Sequence, residues 1–232
     1  MNELALCAGV GGMSLGVGLA VREHRTRWAF DTDDAARDVL ARRFPGVTVG
    51  GDFRKYDFRS CAGAVGILSS GFPCQPWSAA GKRAGMDDER WLWPDIAQVI
   101  GECAPRLVFL ENSPRIDLGP ILESLDALGF NAAWDRFSAA QSGAPHRRQR
   151  TFLLAHAHGF DIREQPWWSR WANREVAPEF ARPLWWAREP EISRVDDGTP
   201  DRVVQHRLVG NGAVPAVAAR AFITLAGRLA DG

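Results

Sequence analysis

The feature that most constrains this chain is the alternation of two periodicities over its first two thirds. Short apolar runs of strand character occur at ELALC (residues 3–7), TRWAF (26–30), AVGILSS (64–70), RLVFLE (106–111), NAAWDRFSA (131–139) and TFLLAHA (151–157). Several are separated by segments with apolar residues at helical spacing: MSLGVGLAVREH, DDAARDVLARRF, LWPDIAQVIGEC and LGPILESLDALGF. Strands that alternate with helices of this length build an α/β fold, a doubly wound, mostly parallel sheet with helices on both faces. Ligands of such sheets bind at the carboxyl edge of the strands, so the residues that leave each strand carry most of the functional information.

At 232 residues and 46% hydrophobic content the chain can bury a sizeable core. No stretch reaches the roughly 18 uninterrupted apolar residues of a membrane span, and MNELALCAGVGG lacks a basic start followed by an apolar signal core. A soluble, cytoplasmic protein without a membrane partner is expected. The four cysteines, Cys7, Cys61, Cys74 and Cys103, form no CxxC pair, which suits a reducing compartment. Lysine plus arginine equals aspartate plus glutamate, 28 each, so a polyanion would have to be met by a local patch, of which HRRQR (146–150) is the densest. Beyond residue 157 the periodicity breaks down into a proline- and charge-rich stretch holding Trp167, Trp168, Trp171, Trp185 and Trp186, before PAVAARAFITLAGRLA (215–230) restores a helical pattern. The expected organisation is a catalytic and cofactor-binding domain over 1–157, a small irregular region over 158–200, and a segment over 201–232 that returns to the first domain.

Three strand exits carry chemistry. CAGVGGM (7–13) opens a predicted helix, and Gly9, Gly11 and Gly12 allow a nucleoside to approach the backbone while the helix start offers amide donors. Asp31 ends the next strand at the spacing of a ribose-binding acid. These features fit a dinucleotide and S-adenosylmethionine equally. GFPCQPWSAAG (71–81) holds Cys74 between Pro73 and Pro76, whose restricted backbone suits a loop that fixes one side chain, here a candidate nucleophile. ENSPR (111–115) brings Glu111 and Asn112 to the same edge, where a partly desolvated carboxyl can stay protonated and donate.

Taken together, these motifs resemble the DNA cytosine-5 methyltransferases of bacterial and phage type. CAGVGG, Asp31, GDF (51–53), GFPCQPWS, ENS, GAPHRRQR (143–150) and RLVGNGAVP (207–215) follow that family's motif order along nearly the whole chain. The resemblance implies a Rossmann-like methyltransferase fold and S-adenosyl-L-methionine as cofactor. Gly9, Gly11, Gly12, Met13, Asp31, Thr32, Asp52, Phe53, Pro73, Leu92 and Asn211 would bind it. It further implies that Cys74 attacks carbon 6 of a flipped cytosine, that Glu111 assists at ring nitrogen 3, that Asn112 fixes the loop geometry, and that Arg148 and Arg150 support the base and its pocket. Double-stranded DNA is the implied partner, contacted by Gln75, Ser78, Arg147, Arg163, Arg170 and Arg174, with Arg182 and Arg188 as further candidates. The resemblance also brings in a restriction-modification setting, a cognate restriction endonuclease and a monomeric state. Its departures are Cys7 and Met13 at positions where phenylalanine is common, Ser113 in place of valine, His146 in place of glutamine, and a target-recognition region of only about forty residues. A dinucleotide-dependent oxidoreductase leaves PCQP, ENS and GNGAVP unexplained. An RNA-modifying branch of the same fold keeps the mechanism and changes the substrate, whereas a non-catalytic DNA binder would not need Cys74, Glu111 and both arginines together.

Overall fold

The computed structural model describes residues 1–21, 23–73, 91–144, 146–168 and 212–232. Seven strands form one sheet: β1 (Asn2–Leu6), β2 (Arg25–Phe30), β3 (Thr48–Gly50), β4 (Ile67–Ser70), β5 (Leu107–Asn112), β6 (Phe130–Ser138) and β7 (Gln149–Ala157). Their spatial order is β3-β2-β1-β4-β5-β7-β6. The first five are mutually parallel, and β7 lies antiparallel between β5 and β6. This reversal has a simple cause. Residues 139–148 join β6 to β7 without a crossover helix, and a connection that short returns the chain alongside the strand it has just left. Among the described residues, five helices cover the sheet: α1 (Gly12–Ala20), α2 (Asp34–Arg43), α3 (Trp93–Cys103), α4 (Gly119–Ala127) and α5 (Pro215–Asp231).

Period-two alternation divides the core between the two faces. Ile67, Leu107, Phe109, Phe152 and Leu154 point towards α1 and α5, while Leu4, Leu6, Leu68, Val108 and Leu110 point towards α3 and α4. Leu40 of α2 closes the flank over Ala5 and Ala29. β5 is buried along its whole length, as expected of a central strand covered on both sides. Among the described residues, no helix is long and apolar enough to cross a membrane.

Two sequence expectations need correction. β3 is a strand that periodicity misses, because three residues are too few to show it. The helical pattern from Met13 to His24 stops at Ala20, because His24 turns inward to reach Glu3 beneath α1. Trp167, in the stretch expected to form a small irregular region, packs edge-on against Phe222 of α5 with ring centroids 5.5 Å apart, and Ile162 joins the same main core.

Candidate active site

The glycine loop is shaped by close packing on both sides. Gly11 adopts φ 81°, and a β-carbon there would lie 2.4 Å from the Phe44 ring; at Gly12 it would lie 2.1 Å from the Ala213 carbonyl oxygen. Any side chain would therefore push α1 away from α2 or from the chain leading into α5. Space above Gly9 is open, with nothing within 4 Å of a β-carbon built there. The start of α1 has no side-chain cap and no acidic residue in its first turn, so its amide donors and positive dipole end remain available to an anion. From the tip of β2, Asp31 accepts the Gly9 N–H at 2.8 Å and the Asp33 N–H at 2.9 Å, which locks the loop to the neighbouring strand. Arg43 adds a second lock by donating to the Val10 carbonyl at 3.0 Å.

Beside this loop lies a cleft whose lining includes Cys7, Gly9, Met13, Gly71, Glu111 and Ala213. Glu111, 8% exposed, is the next-to-last residue of β5 and ion-pairs with Arg150 (Nε to Oε1, 3.0 Å). The register of the antiparallel pair explains this contact, since Asn112 lies opposite Thr151 and brings Arg150 to the end of β5. Burial pushes the Glu111 carboxyl above its usual value, while the Arg150 and Arg148 charges oppose the shift. Asn112, also buried, donates to the Phe72 carbonyl at 3.0 Å and accepts the Ser113 N–H at 2.8 Å, tying the exit of β4 to the exit of β5. The tied segment, Gly71–Phe72–Pro73, leads directly into Cys74. Arg148 donates to the Gly212 carbonyl at 2.8 Å and so holds the entry to α5 against the site.

The remaining predicted residues separate into two groups. Met13 is buried at the cleft, and Leu92 is the residue before α3, packed against the core beneath it. Asp52 caps a short turn and is held bidentately by Arg54, whose bond keeps its carboxyl below the usual range; the Phe53 ring is buried in the core. Thr32, Pro73 and Arg147 are exposed. HRRQR is therefore not one surface patch, because two of its three arginines turn inward and only Arg147 faces outward. Arg163 is exposed but paired with Asp161 at 2.9 Å. Cys74, Gln75, Ser78, Arg170, Arg174, Arg182, Arg188 and Asn211 lie outside the described residues.

One feature beneath the site carries no motif. Glu3, fully buried in β1, accepts hydrogen bonds from Ser69 at 2.6 Å and Thr26 at 2.7 Å and pairs with His24 at 2.9 Å. Burial pushes its carboxyl up, but the His24, Ser69 and Thr26 contacts outweigh this and hold it below its ordinary value. The only hint in the sequence is an acid inside an otherwise apolar strand.

Residues 1–186 match the family described as C-5 cytosine-specific DNA methylase. The chain is 28% identical over 230 residues to the Type II methyltransferase M.CviJI of Paramecium bursaria Chlorella virus IL3A, covering 97% of this chain and 59% of that protein. It is 32% identical over 162 residues to the Type II methyltransferase M.NgoMIV of Neisseria gonorrhoeae, covering 66% of this chain and 51% of the relative. The chain thus spans little more than half the length of these two relatives. Among solved structures, the S. pombe Dnmt2 methyltransferase superposes with a TM-score of 0.67 at 15% identity over 99% of both chains. A putative DNA modification methyltransferase encoded within an E. coli prophage superposes with a TM-score of 0.54 at 23% identity, over 68% of this chain and 47% of that one. At such identities the likeness is one of fold.

Proposed function

This chain belongs to the C-5 cytosine-specific DNA methylase family, and we propose that it transfers a methyl group to carbon 5 of cytosine in double-stranded DNA. The observation that carries the proposal is the buried Glu111–Arg150 pair beside the glycine-loop cleft, with Asn112 binding the segment that leads into Cys74. Carbon 5 of cytosine is a weak nucleophile. Addition of the Cys74 thiolate to carbon 6 moves electron density onto carbon 5, and Glu111, whose carboxyl burial pushes above its usual value, assists at ring nitrogen 3 as charge develops there. Once carbon 5 carries the methyl group, loss of its proton to solvent and expulsion of the Cys74 thiolate restore the ring. Burial pushes the thiols of Cys7 and Cys103 up to about 12, so neither provides a thiolate near neutral pH.

S-adenosylmethionine, which when bound supplies the methyl group, is assigned to the glycine-loop cleft. Its amino-acid carboxylate suits the uncapped start of α1, its body suits the open space above Gly9, and Asp31 retains lone pairs for ribose hydroxyls. Asp52, Phe53, Leu92 and Asn211 are assigned to the adenine end and the cleft wall. Because a stacked cytosine is out of reach, the base is flipped at a cost of a few kcal/mol. Gln75 and Ser78 are assigned to the space it leaves, and residues 158–200 to target recognition, with Arg147 and the arginines of that region on phosphates.

The test is transfer of labelled methyl from S-adenosylmethionine to duplex DNA and, in parallel, to tRNA, with bisulfite sequencing of the DNA product. Label at cytosine carbon 5 in a recurring DNA context is expected. Label in tRNA alone would move the substrate to RNA, and label in neither would overturn the proposal.

A further inference from the structure

A second recess lies beside α1, whose Ser14 lines both it and the cleft at the strand ends. It encloses about 680 Å³, within the range of small-molecule pockets. Leu15, Leu19 and Phe44 supply apolar wall, and Leu19 is 45% exposed. Arg25, Arg27 and Arg43 supply its charge, with His24, Thr26 and Ser14 as further polar lining, and among the described residues no carboxylate contributes to it. Arg27 is the extra residue of a β-bulge, where Glu3 pairs with Thr26 and Leu4 with Trp28; bulges re-aim side chains in this way. Among the described residues, the guanidinium groups of Arg25 and Arg27 have no partner.

We propose that this recess binds a small organic phosphate, with phosphate oxygens on the three guanidinium groups and an apolar or aromatic body against Leu15, Leu19 and Phe44. Guanidinium forks match phosphate geometry bidentately, and the apolar wall gives the rest of such a ligand a place to bury surface. A DNA backbone fits less well. It would leave the apolar wall unused, and Arg25 is the first residue of β2, at the opposite sheet edge from Glu111. The recess is also joined to the glycine loop, because Arg43 donates to the Val10 carbonyl and Phe44 packs under Gly11. A phosphate that draws Arg43 away releases Val10, so occupancy weakens cofactor binding; this second statement rests on the cofactor reading above.

The experiment is calorimetric titration of the full chain with 1-naphthyl phosphate, which does not mimic adenosine, and with tripolyphosphate, which carries phosphate alone. Saturable one-to-one binding of 1-naphthyl phosphate is expected, weakened about tenfold or more in Arg25→Glu/Arg27→Glu. Leu19→Asn should weaken 1-naphthyl phosphate and leave tripolyphosphate unchanged. No saturable binding, affinities unchanged in both variants, or displacement of the probe by duplex DNA would overturn the site. With 1-naphthyl phosphate bound, affinity for S-adenosylhomocysteine should fall about fivefold, the lower end of typical coupling; an unchanged affinity would overturn the coupling. If S-adenosylhomocysteine does not bind at all, the cofactor reading fails and the coupling with it, while the direct titration still decides the recess.

Discussion

Asn112→Ala removes the one side chain that, among the described residues, hydrogen-bonds across from the exit of β5 to the segment entering Cys74. Two bonds are lost, to the Phe72 carbonyl at 3.0 Å and from the Ser113 N–H at 2.8 Å, at a position only 5% exposed. Two neutral hydrogen bonds contribute about 1–3 kcal/mol net, and stranding a buried carbonyl adds to that, so a loss of about 2–4 kcal/mol is expected. At about 2–4 °C per kcal/mol for a chain of this size, Tm should fall by roughly 4–16 °C. The catalytic effect should be larger than the loss of stability implies at the assay temperature. Once the Phe72 carbonyl is released, Cys74 is no longer aimed, and misplacement of a reacting group by about 1 Å costs on the order of 10²-fold in turnover. Asn112 does not line the glycine-loop cleft, so affinity for S-adenosylhomocysteine should stay within about twofold. Asn112→Asp separates the two bonds, since it still accepts from Ser113 but sets a carboxylate oxygen against the Phe72 carbonyl. Thermal melts, calorimetry and methyl transfer at saturating substrates measure all three quantities. Asn112→Asp with wild-type turnover, or Asn112→Ala with unchanged Tm and turnover, would refute the reasoning.

Gly16→Ala should destabilise the protein despite the better helix former, because its β-carbon would sit 2.5 Å from Ala218 Cβ and 2.8 Å from the Pro215 carbonyl; overpacking of about 1–3 kcal/mol outweighs the roughly 1 kcal/mol propensity gain, as denaturant unfolding would show. Arg150→Met removes a charge that opposes the burial-driven rise of the Glu111 carboxyl, so Glu111 should hold its proton to higher pH and the alkaline limb of its pH–rate profile should move up, even as kcat falls. Glu3 is held below its ordinary value in the folded state, so it contributes stability above the ordinary carboxylate range that disappears as pH falls through the depressed value. Glu3→Gln should therefore cost about 1–3 kcal/mol near neutral pH, by weakening the hydrogen bonds that converge on the buried carboxylate, and that cost should shrink in acid.

The fold was largely legible because period-two and period-3.6 segments alternate cleanly, and the strands from ELALC to TFLLAHA all appear in the sheet. What the sequence could not show was tertiary. The insertion of β7 between β5 and β6 is a matter of pairing, yet it is this register that brings Arg150 to Glu111 across 39 positions of chain. Motif spacing identified Glu111, Asn112 and the glycine loop, but gave no sign that Arg148 would hold the Gly212 carbonyl or that Arg43 would hold Val10. The Glu3–His24 pair was illegible for a related reason. A buried acid is tolerable only with partners, and those partners come from two other strands and from His24, at the end of a pattern that is helical in sequence.

The central claim is that Cys74 attack activates carbon 5 of cytosine, and release of tritium from duplex DNA carrying [5-³H]cytosine tests it most directly. Replacing the carbon-5 hydrogen with methyl predicts one tritium released for each methyl transferred, and no release and no transfer for Cys74→Ala. Methyl transfer without tritium release, or tritium release undiminished in Cys74→Ala, would contradict it.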